Sequence, residues 1–204
     1  MKYKIIKLLL ISTYCLSLFG CELNIGEIKD KTQNTFFNEI NKSLNNNYSK
    51  DYLDQFEEVT VDRVIDGDTF VTADGRKVRL VGVNTPESTT KLEEYGEEAS
   101  LYSKDKLTGK KVYLQKDISE EDIYGRLLRI VWLEIPSSID GLNEIKSKMF
   151  NAHLLIYGYA QPSTYEPDIK YSNIFKFLAA QAKDLGIGLW GISENGTTKG
   201  DKME

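Results

Sequence analysis

Three short strand patterns follow one another between residues 59 and 83, and Asp-Gly turns separate them. Val59 to Ile65 alternates between apolar and polar side chains, Asp68 to Thr72 indicates a second strand, and Lys77 to Val83 indicates a third. The Asp74-Gly75 pair is typical of a hairpin because it accepts the positive φ that a tight turn needs. The sequence therefore predicts a three-stranded meander.

The rest of the pattern completes a small barrel. After the meander we predict a helix, two strands and two further helices, over 97–107, 112–115, 127–133, 148–157 and 174–185. Five short strands with one helix after the third is the element order of an OB-type barrel. We therefore expect an α+β, mainly β fold: a five-stranded OB-fold barrel with three helices.

The first 20 residues have the organisation of a lipoprotein-type signal peptide. A lysine-rich start precedes a mainly apolar run from Leu8 to Phe19. The run ends in Leu18-Phe19-Gly20-Cys21, which resembles a lipobox and makes Cys21 the expected lipidated N-terminus. We expect an exported, membrane-anchored lipoprotein. The alternative is an ordinary secretory peptide, an incidental cysteine and a secreted protein.

The remaining chain divides by composition. Residues 21–57 are rich in Asn, Lys, Glu and Asp without a sustained apolar period, so we interpret them as a tether. The domain proper is expected over 58–191, as a monomer, and 192–204 is expected to be a disordered tail. Because Cys15 lies in the removed segment and Cys21 is acylated in this interpretation, no thiol remains for a disulfide or a zinc site.

His153 is the only histidine, and it lies in an apolar helical segment. Sites that need paired histidines, a histidine-metal cage or a Ser-His-Asp arrangement are therefore excluded, and we expect His153 to be structural. Any chemistry must come from carboxylates, arginines, hydroxyls and a metal. The formal net charge of −5 also disfavours a broad basic surface, so a nucleic-acid site must be a local positive focus.

Several charged residues lie at predicted strand ends and form an ordered set of motifs. These are Val64-Ile65-Asp66-Gly67-Asp68-Thr69, Val78-Arg79-Leu80 leading to Asn84-Thr85-Pro86-Glu87, and Tyr124-Gly125-Arg126. Together with Tyr95-Gly96-Glu97 and Leu189-Trp190-Gly191, they make the chain similar to the thermonuclease (staphylococcal nuclease-like) family over about residues 58–191.

The resemblance implies a Ca²⁺-dependent endonuclease that hydrolyses phosphodiester bonds of DNA and RNA, preferentially single-stranded or frayed. It implies metal ligation by Asp68, Asn84 and the backbone carbonyl of Thr85. It also implies Glu87 as the general base, with Arg79 and Arg126 stabilising charge on the phosphoryl oxygens. Oxygen ligands suit calcium, and planar guanidiniums suit a phosphoryl group.

Three positions depart from the family pattern or extend it. Asn84 stands where the best-known family member has a second metal-binding aspartate, which predicts weaker Ca²⁺ binding. Ile123 replaces a lysine near the phosphate, and the stretch 134–148 is interpreted as a tolerated insertion, with a role in substrate access as the alternative. Tyr124 and Tyr165 are candidates for substrate binding, the latter by stacking on a base.

A second interpretation belongs to another class of protein. OB barrels also bind oligomers without chemistry, so the chain is alternatively a catalytically weak or inactive surface nucleic-acid-binding module. The acidic balance and Asn84 favour this alternative. The presence of Asp68, Glu87 and both arginines favours the enzyme.

Overall fold

Five strands close into a barrel in the computed structural model, which describes residues 48–201. The described residues contain seven strands: β1 (Phe56–Asp66), β2 (Thr69–Thr72), β3 (Lys77–Leu80), β4 (Val83–Asn84), β5 (Lys111–Gln115), β6 (Leu127–Trp132) and β7 (Gln161–Pro162). Strands β4 and β7 pair with each other outside the barrel. The barrel order is β1-β2-β3-β6-β5, in which only the β3–β6 pair is parallel. The predicted five-stranded OB-type barrel is therefore confirmed.

Six helical segments accompany the barrel in the described part of the chain, where the sequence predicts three. They are α1 (Lys50–Leu53), α2 (Gly96–Leu107), α3 (Leu142–Lys148), α4 (Phe150–Ile156), α5 (Ser172–Asp184) and α6 (Leu189–Ile192). Helices α2 and α5 lie where they were predicted. The unpredicted segments are short, the longest having seven residues, and short segments carry little periodic signal.

The helix predicted over 148–157 is wrong at its start, because the chain is extended at Met149, with φ −87° and ψ 119°. Met149 forms a bridge with Trp132, and the Leu133 N–H donates to the Lys148 carbonyl at 2.7 Å. Pairing with the end of β6 thus separates α3 from α4. Helix α3 also occupies much of the stretch 134–148 that was interpreted as an insertion.

The third predicted strand, 77–83, is divided in the structure. Barrel pairing ends where the Val81 N–H donates to the Arg129 carbonyl at 2.9 Å. The chain then forms β4, in which Val83 pairs with Pro162 of β7. This change of partner takes the chain out of the barrel wall just before Asn84 and Thr85.

The barrel strands and α4 share one core of apolar side chains. Phe70, Val78, Val131 and Trp132 are fully buried, and Phe150 of α4 is fully buried with them in one core cluster. Burial of each such side chain contributes about 1.5–3 kcal/mol relative to exposure. The core thus holds α4 against the barrel strands.

Asn151 is a fully buried polar residue on α4. Its Oδ1 accepts from the Val131 N–H at 2.9 Å, and its Nδ2 donates to the Val81 carbonyl at 2.8 Å. Buried backbone groups without such partners are costly. The Asn151 side chain therefore satisfies one backbone N–H of β6 and one backbone carbonyl just after β3, at the point where the two chain segments diverge.

His153, on the same helix, lies against the end of α3. The backbone of Ser147 and of Lys146 lies near its ring, and the ring meets Tyr157 edge-on at 6.0 Å between centroids. Burial lowers the pKa of His153 below its ordinary value, and the two backbone contacts oppose that shift. The surroundings fit the structural role expected for this histidine.

Packed residues lie on both sides of the expected domain, 58–191. Strand β1 begins at Phe56, and before it the Tyr52 hydroxyl donates to the Pro136 carbonyl at 2.8 Å, so part of the expected 21–57 tether packs on the fold. In the expected disordered tail, 192–204, Asp201 accepts from the Thr164 N–H at 3.0 Å. Distant contacts of this kind leave no periodic pattern in the sequence.

The remaining predictions about the chain ends lie outside the described residues: the signal peptide, Cys21 and most of the tether. Within residues 48–201, no helix combines the length and apolar character needed to cross a membrane.

We predict that Asn151→Ala destabilises the protein by about 2–5 kcal/mol. The substitution leaves the Val131 N–H and the Val81 carbonyl buried without partners, at roughly 1–3 kcal/mol each. Chemical denaturation measures the change in the free energy of unfolding. Asn143→Ala, at an exposed asparagine of α3, is the matched control and should change it by less than about 0.5 kcal/mol. Equal effects of the two substitutions would contradict the structural role of Asn151.

Candidate active site

A cleft of about 1080 Å³ lies beside the barrel strands and contains the residues that the sequence singled out. All eight of the predicted site residues within the described range line it: Asp68, Arg79, Asn84, Thr85, Glu87, Tyr124, Arg126 and Tyr165. They come from separate segments of the chain, so the fold and not sequence proximity brings them together. His153 does not line this cleft.

The parallel pairing of β3 with β6 explains why two arginines share the cleft. Val78 pairs with Leu127, and Arg79 pairs with Leu128. Arg126 immediately precedes Leu127, so barrel closure places both arginines at the same rim. Val78 is fully buried, and strand alternation turns Arg79 away from the core.

Asp68 is a buried carboxylate, 5% exposed, at the turn between β1 and β2. It accepts from the Thr69 hydroxyl at 3.0 Å and from the Thr85 N–H at 2.9 Å. Nη2 of Arg79 lies 3.1 Å from the same carboxylate. A buried charge needs such partners, and here they join β2, β3 and the segment after β4.

Arg79 is held by acceptors on both of its terminal nitrogens. Nη1 donates to the carbonyls of Leu80 and Val83 at 2.6 and 2.8 Å. Nη2 donates to Asn84 Oδ1 at 2.9 Å in addition to its ion pair with Asp68. The guanidinium is therefore fixed before any substrate arrives, which lowers the entropic cost of using it.

A close backbone approach at Gly67 sets the position of Thr85. A Cβ at Gly67 would lie 2.7 Å from the Thr85 side chain, so a larger residue would displace Thr85. The Thr85 hydroxyl is buried and has no hydrogen-bond partner among residues 48–201. The Thr85 N–H donates to the Asp68 carboxylate, so Gly67 and Asp68 together hold Thr85 in place.

Glu87 lies in the loop after β4 and is oriented by its neighbours. Its carboxylate accepts from the Thr89 hydroxyl and from the Thr89 N–H, the latter at 3.0 Å. The Glu87 carbonyl also abuts Gly96, where a Cβ would come within 2.4 Å of it, so the start of α2 supports the loop. The Thr89 hydroxyl is the main cause of a lowered pKa at Glu87, which keeps this carboxylate ionised at neutral pH.

Asp66 is a cleft residue to which the sequence analysis gave no role. Burial raises its pKa to about 6; hydrogen bonds from Ser88 and Gly67 oppose the shift, and the nearby Asp68 and Glu87 charges add to it. The Ser88 hydroxyl donates to Asp66 Oδ1 at 2.6 Å. Because Asp66 precedes Gly67, the sequence indicates only a turn at this position and does not reveal a second carboxylate in the cleft.

Arg126 has a carboxylate partner of its own, which the sequence analysis also missed. Asp122 accepts from Arg126 Nε at 2.7 Å and lies 2.6 Å from Nη2. The other terminal nitrogen, Nη1, makes no hydrogen bond within the described residues. The guanidinium also lies 5.5 Å from the Tyr124 ring centroid, at cation–π distance. The four-residue spacing from Asp122 to Arg126 is the sequence feature that could have predicted this ion pair.

Exposed aromatic rings border the cleft beside these charges. Tyr124 is 76% exposed and Tyr165 is 75% exposed, which leaves ring surface available for stacking beside the Arg126 contact on Tyr124. Ile123 is 92% exposed, so the position at which the family pattern has a lysine presents an apolar side chain to solvent.

Asn84 has two partners, and one of them comes from the far end of the chain. Its Oδ1 accepts from Arg79, and its Nδ2 donates to the Thr198 hydroxyl at 2.8 Å. The Thr198 hydroxyl is also 3.5 Å from the Thr85 carbonyl. An aspartate at this position has no N–H to offer Thr198, so the amide suits this contact.

The donor set fits a hard cation such as Ca²⁺. Asp68, Asn84 and the Thr85 carbonyl offer only oxygen atoms, and calcium prefers oxygen ligands of mixed charge. No cluster of three or more His, Cys, Asp or Glu side chains suited to a metal occurs in the part of the chain that the structure describes. A metal here thus depends on amide and backbone oxygens beside one carboxylate.

The chain is similar in sequence to known nucleases. The sequence model of the staphylococcal nuclease homologue family matches residues 77–192. The chain is 38% identical over 134 residues to the thermonuclease of Staphylococcus hyicus, covering 63% of this chain and 72% of that protein. It is 36% identical over 140 residues to the thermonuclease of Staphylococcus intermedius, covering 66% and 76%. It is 31% identical over 182 residues to endonuclease YncB of Bacillus subtilis (strain 168), covering 85% and 80%. The chain therefore belongs to the staphylococcal nuclease homologue family.

Proposed function

We propose that the chain is a Ca²⁺-dependent endonuclease that hydrolyses phosphodiester bonds of DNA and RNA in this cleft. The observation that carries the proposal is the meeting of Asp68, Arg79, Glu87 and Arg126, from distant parts of the sequence, in one cleft. Relatives named thermonuclease and endonuclease support the same reaction class.

The substrate is a single-stranded or frayed nucleic acid. Exposed rings at Tyr124 and Tyr165 give unpaired bases a surface on which to stack, and a paired duplex hides those base faces. Stacking contacts the faces of the bases, whereas sequence is read at their edges. The expected sequence preference is therefore weak.

Asp68, Asn84 and Thr85 are the residues that hold calcium in this proposal. When bound, the ion supplies positive charge to a phosphate oxygen and organises water near it. Asp68 brings the only formal charge among these three ligands, and its hydrogen bonds to Thr69 and Thr85 keep its orientation.

Glu87 acts as the general base. Its carboxylate is ionised and oriented by Thr89, so it can accept a proton from the attacking water as the new oxygen–phosphorus bond forms. The bond from phosphorus to the 5′ sugar oxygen breaks in the same displacement, and that oxygen leaves as a hydroxyl after it takes a proton from solvent water. The Asp66 carboxyl group lies nearby, and burial raises its pKa to about 6.

The arginines stabilise the charge that develops on the phosphoryl oxygens. Arg79 is immobilised by four acceptors, and Arg126 is held along one edge by Asp122, which leaves Nη1 for a phosphate oxygen. Donors that are already oriented when charge develops are worth roughly 10²–10³ in rate each.

We further propose that the enzyme is an exported monomeric lipoprotein held at a membrane by acylated Cys21. The basic start, the apolar run and the Leu18-Phe19-Gly20-Cys21 motif support this location. Several acyl chains on one cysteine give stable anchoring, because each buried CH₂ contributes about 0.8 kcal/mol.

The reaction is tested by incubating the purified protein with single-stranded and double-stranded DNA and RNA, in Ca²⁺ or in chelator. We expect Ca²⁺-dependent cleavage that is faster on single strands. Glu87→Gln and Arg126→Ala should each lower kcat by roughly 10²-fold or more, because they remove the base and a transition-state donor.

Glu94→Gln is the matched control for Glu87→Gln, since Glu94 is exposed and lies outside the cleft lining. It should cleave like the parent protein. Absence of cleavage by the parent in both conditions would overturn the enzymatic proposal, and binding without cleavage would favour the surface binding module instead. Cleavage in chelator would overturn only the calcium requirement.

Asn84→Asp should tighten the binding of Ca²⁺. It adds a negative charge to the proposed ligand set, and ligand charge tunes calcium affinity, so the midpoint of a calcium titration of activity should fall by on the order of tenfold. Asn143→Asp makes the same charge change at an exposed position of α3 and should leave the midpoint in place. Equal midpoints for Asn84→Asp and the parent would show that Asn84 does not contact the ion.

Cys21→Ser tests the anchor. The parent protein, expressed in a bacterial host, should partition into the detergent phase, and the variant should remain in the aqueous phase because it cannot be acylated. Mass spectrometry of the mature N-terminus identifies the acyl chains directly. An unmodified Cys21 in the mature parent would reject the lipoprotein and leave the secreted alternative.

A further inference from the structure

We propose that residues 193–201 form a strap that holds Lys199 at the edge of the cleft, where its ammonium group binds a phosphate of the nucleic-acid strand. The proposal rests on the proposed function for the identity of the ligand. The strap follows the region that matches the family model, which ends at residue 192.

The N-terminal half of the strap is hydrogen-bonded to the two-stranded sheet of β4 and β7. Gln161, a buried residue of β7, donates from Nε2 to the Asn195 carbonyl at 3.2 Å and accepts on Oε1 from the Thr198 N–H at 3.1 Å. The Thr198 side chain then accepts from Asn84 at 2.8 Å. The residue before Lys199 is thus hydrogen-bonded through both its backbone and its side chain.

A second set of contacts fixes the strap two residues after Lys199. The Asp201 N–H donates to the Pro162 carbonyl at 2.8 Å, and Oδ1 accepts from the Thr164 N–H at 3.0 Å. Asp201 Oδ2 accepts from the Thr164 hydroxyl and lies 3.3 Å from the Lys176 ammonium on α5. With anchors at positions 198 and 201, the backbone of Lys199 has little freedom to leave the cleft.

Lys199 itself is exposed and lines the same cleft as Asp68, Glu87 and the two arginines. Its ammonium group has no hydrogen bond or ion pair within residues 48–201. The backbone of Lys199 is held in place, and its ammonium group is unpaired. Such a group is suited to bind a phosphate, because Lys binds phosphate as a point charge.

The charge balance of the site explains why such a group matters. Arg79 is paired with Asp68, and Arg126 is paired with Asp122, so both arginines reach the cleft already partly neutralised. The whole chain carries a formal net charge of −5. Attraction of a polyanion therefore depends on unpaired cations at the cleft, and the strap adds one.

The test measures binding in the full chain without catalysis. The probe is a fluorescent 12-nucleotide single-stranded DNA in chelator, and its anisotropy is followed over a range of salt concentrations. Lys199→Gln should weaken binding about fivefold at low salt and reduce the slope of log affinity against log salt by about 0.7, the contribution of one phosphate contact. Lys199→Arg should restore both values, because it keeps the charge.

Lys110→Gln is the matched control, since Lys110 is an exposed lysine outside the cleft lining. It removes the same charge from the chain and should change the slope little. If Lys199→Gln matches Lys110→Gln, or if the parent protein does not bind the probe, the proposal is overturned. A binding difference in a protein that cleaves nothing with Ca²⁺ supports the strap and rejects the endonuclease, so the two failures are distinguishable.

Asp201→Ala tests the strap as distinct from the lysine. Removing a negative charge near the cleft should, by electrostatics alone, strengthen binding to DNA. The strap predicts the opposite, because the loss of the Thr164 hydrogen bonds and of the Lys176 ion pair frees Lys199. It also predicts that Asp201→Ala adds little to Lys199→Gln in the double variant. Stronger or unchanged binding by Asp201→Ala overturns the role of the strap.

Discussion

The Asp68 carboxylate is the contact on which the geometry of the cleft depends. It accepts from Thr69 and Thr85 and pairs with Arg79, so one buried group ties two strands of the barrel to the segment after β4. A buried carboxylate is costly unless it is fully partnered, and these partners remove that cost. The same interactions orient the Thr85 backbone and the Arg79 guanidinium, so stability and site geometry share one cause.

Closure of the barrel is the second feature on which the geometry of the cleft depends. The parallel β3–β6 pair brings Arg79 and Arg126 to one rim although they are far apart in sequence, and Asn151 satisfies the backbone where the pair diverges. Functional residues at the ends of rigid strands need little reorganisation when a substrate binds. The fold therefore places both arginines at one rim of the barrel before a substrate binds.

Much of this architecture was predictable because it rests on local patterns. Alternation and Asp-Gly turns located the first three strands, and the charged positions at strand ends located the cleft residues. The break at Met149 and the packing of 193–201 were not predictable in this way. Each depends on a partner distant in sequence, as Asn84 is from Thr198, and such contacts leave no periodic trace.

The pairing of each arginine with an acidic side chain separates two roles of the cations at the cleft: stabilising a transition state and attracting the nucleic acid. Arg79 and Arg126 are oriented by Asp68 and Asp122, which suits donors that act on a transition state but reduces their long-range attraction for phosphate. An acidic protein that binds a polyanion needs other, unpaired cations for that attraction. Lysines at the cleft edge meet this need, and because their charge is exposed, their contribution is the part of binding that salt should weaken most.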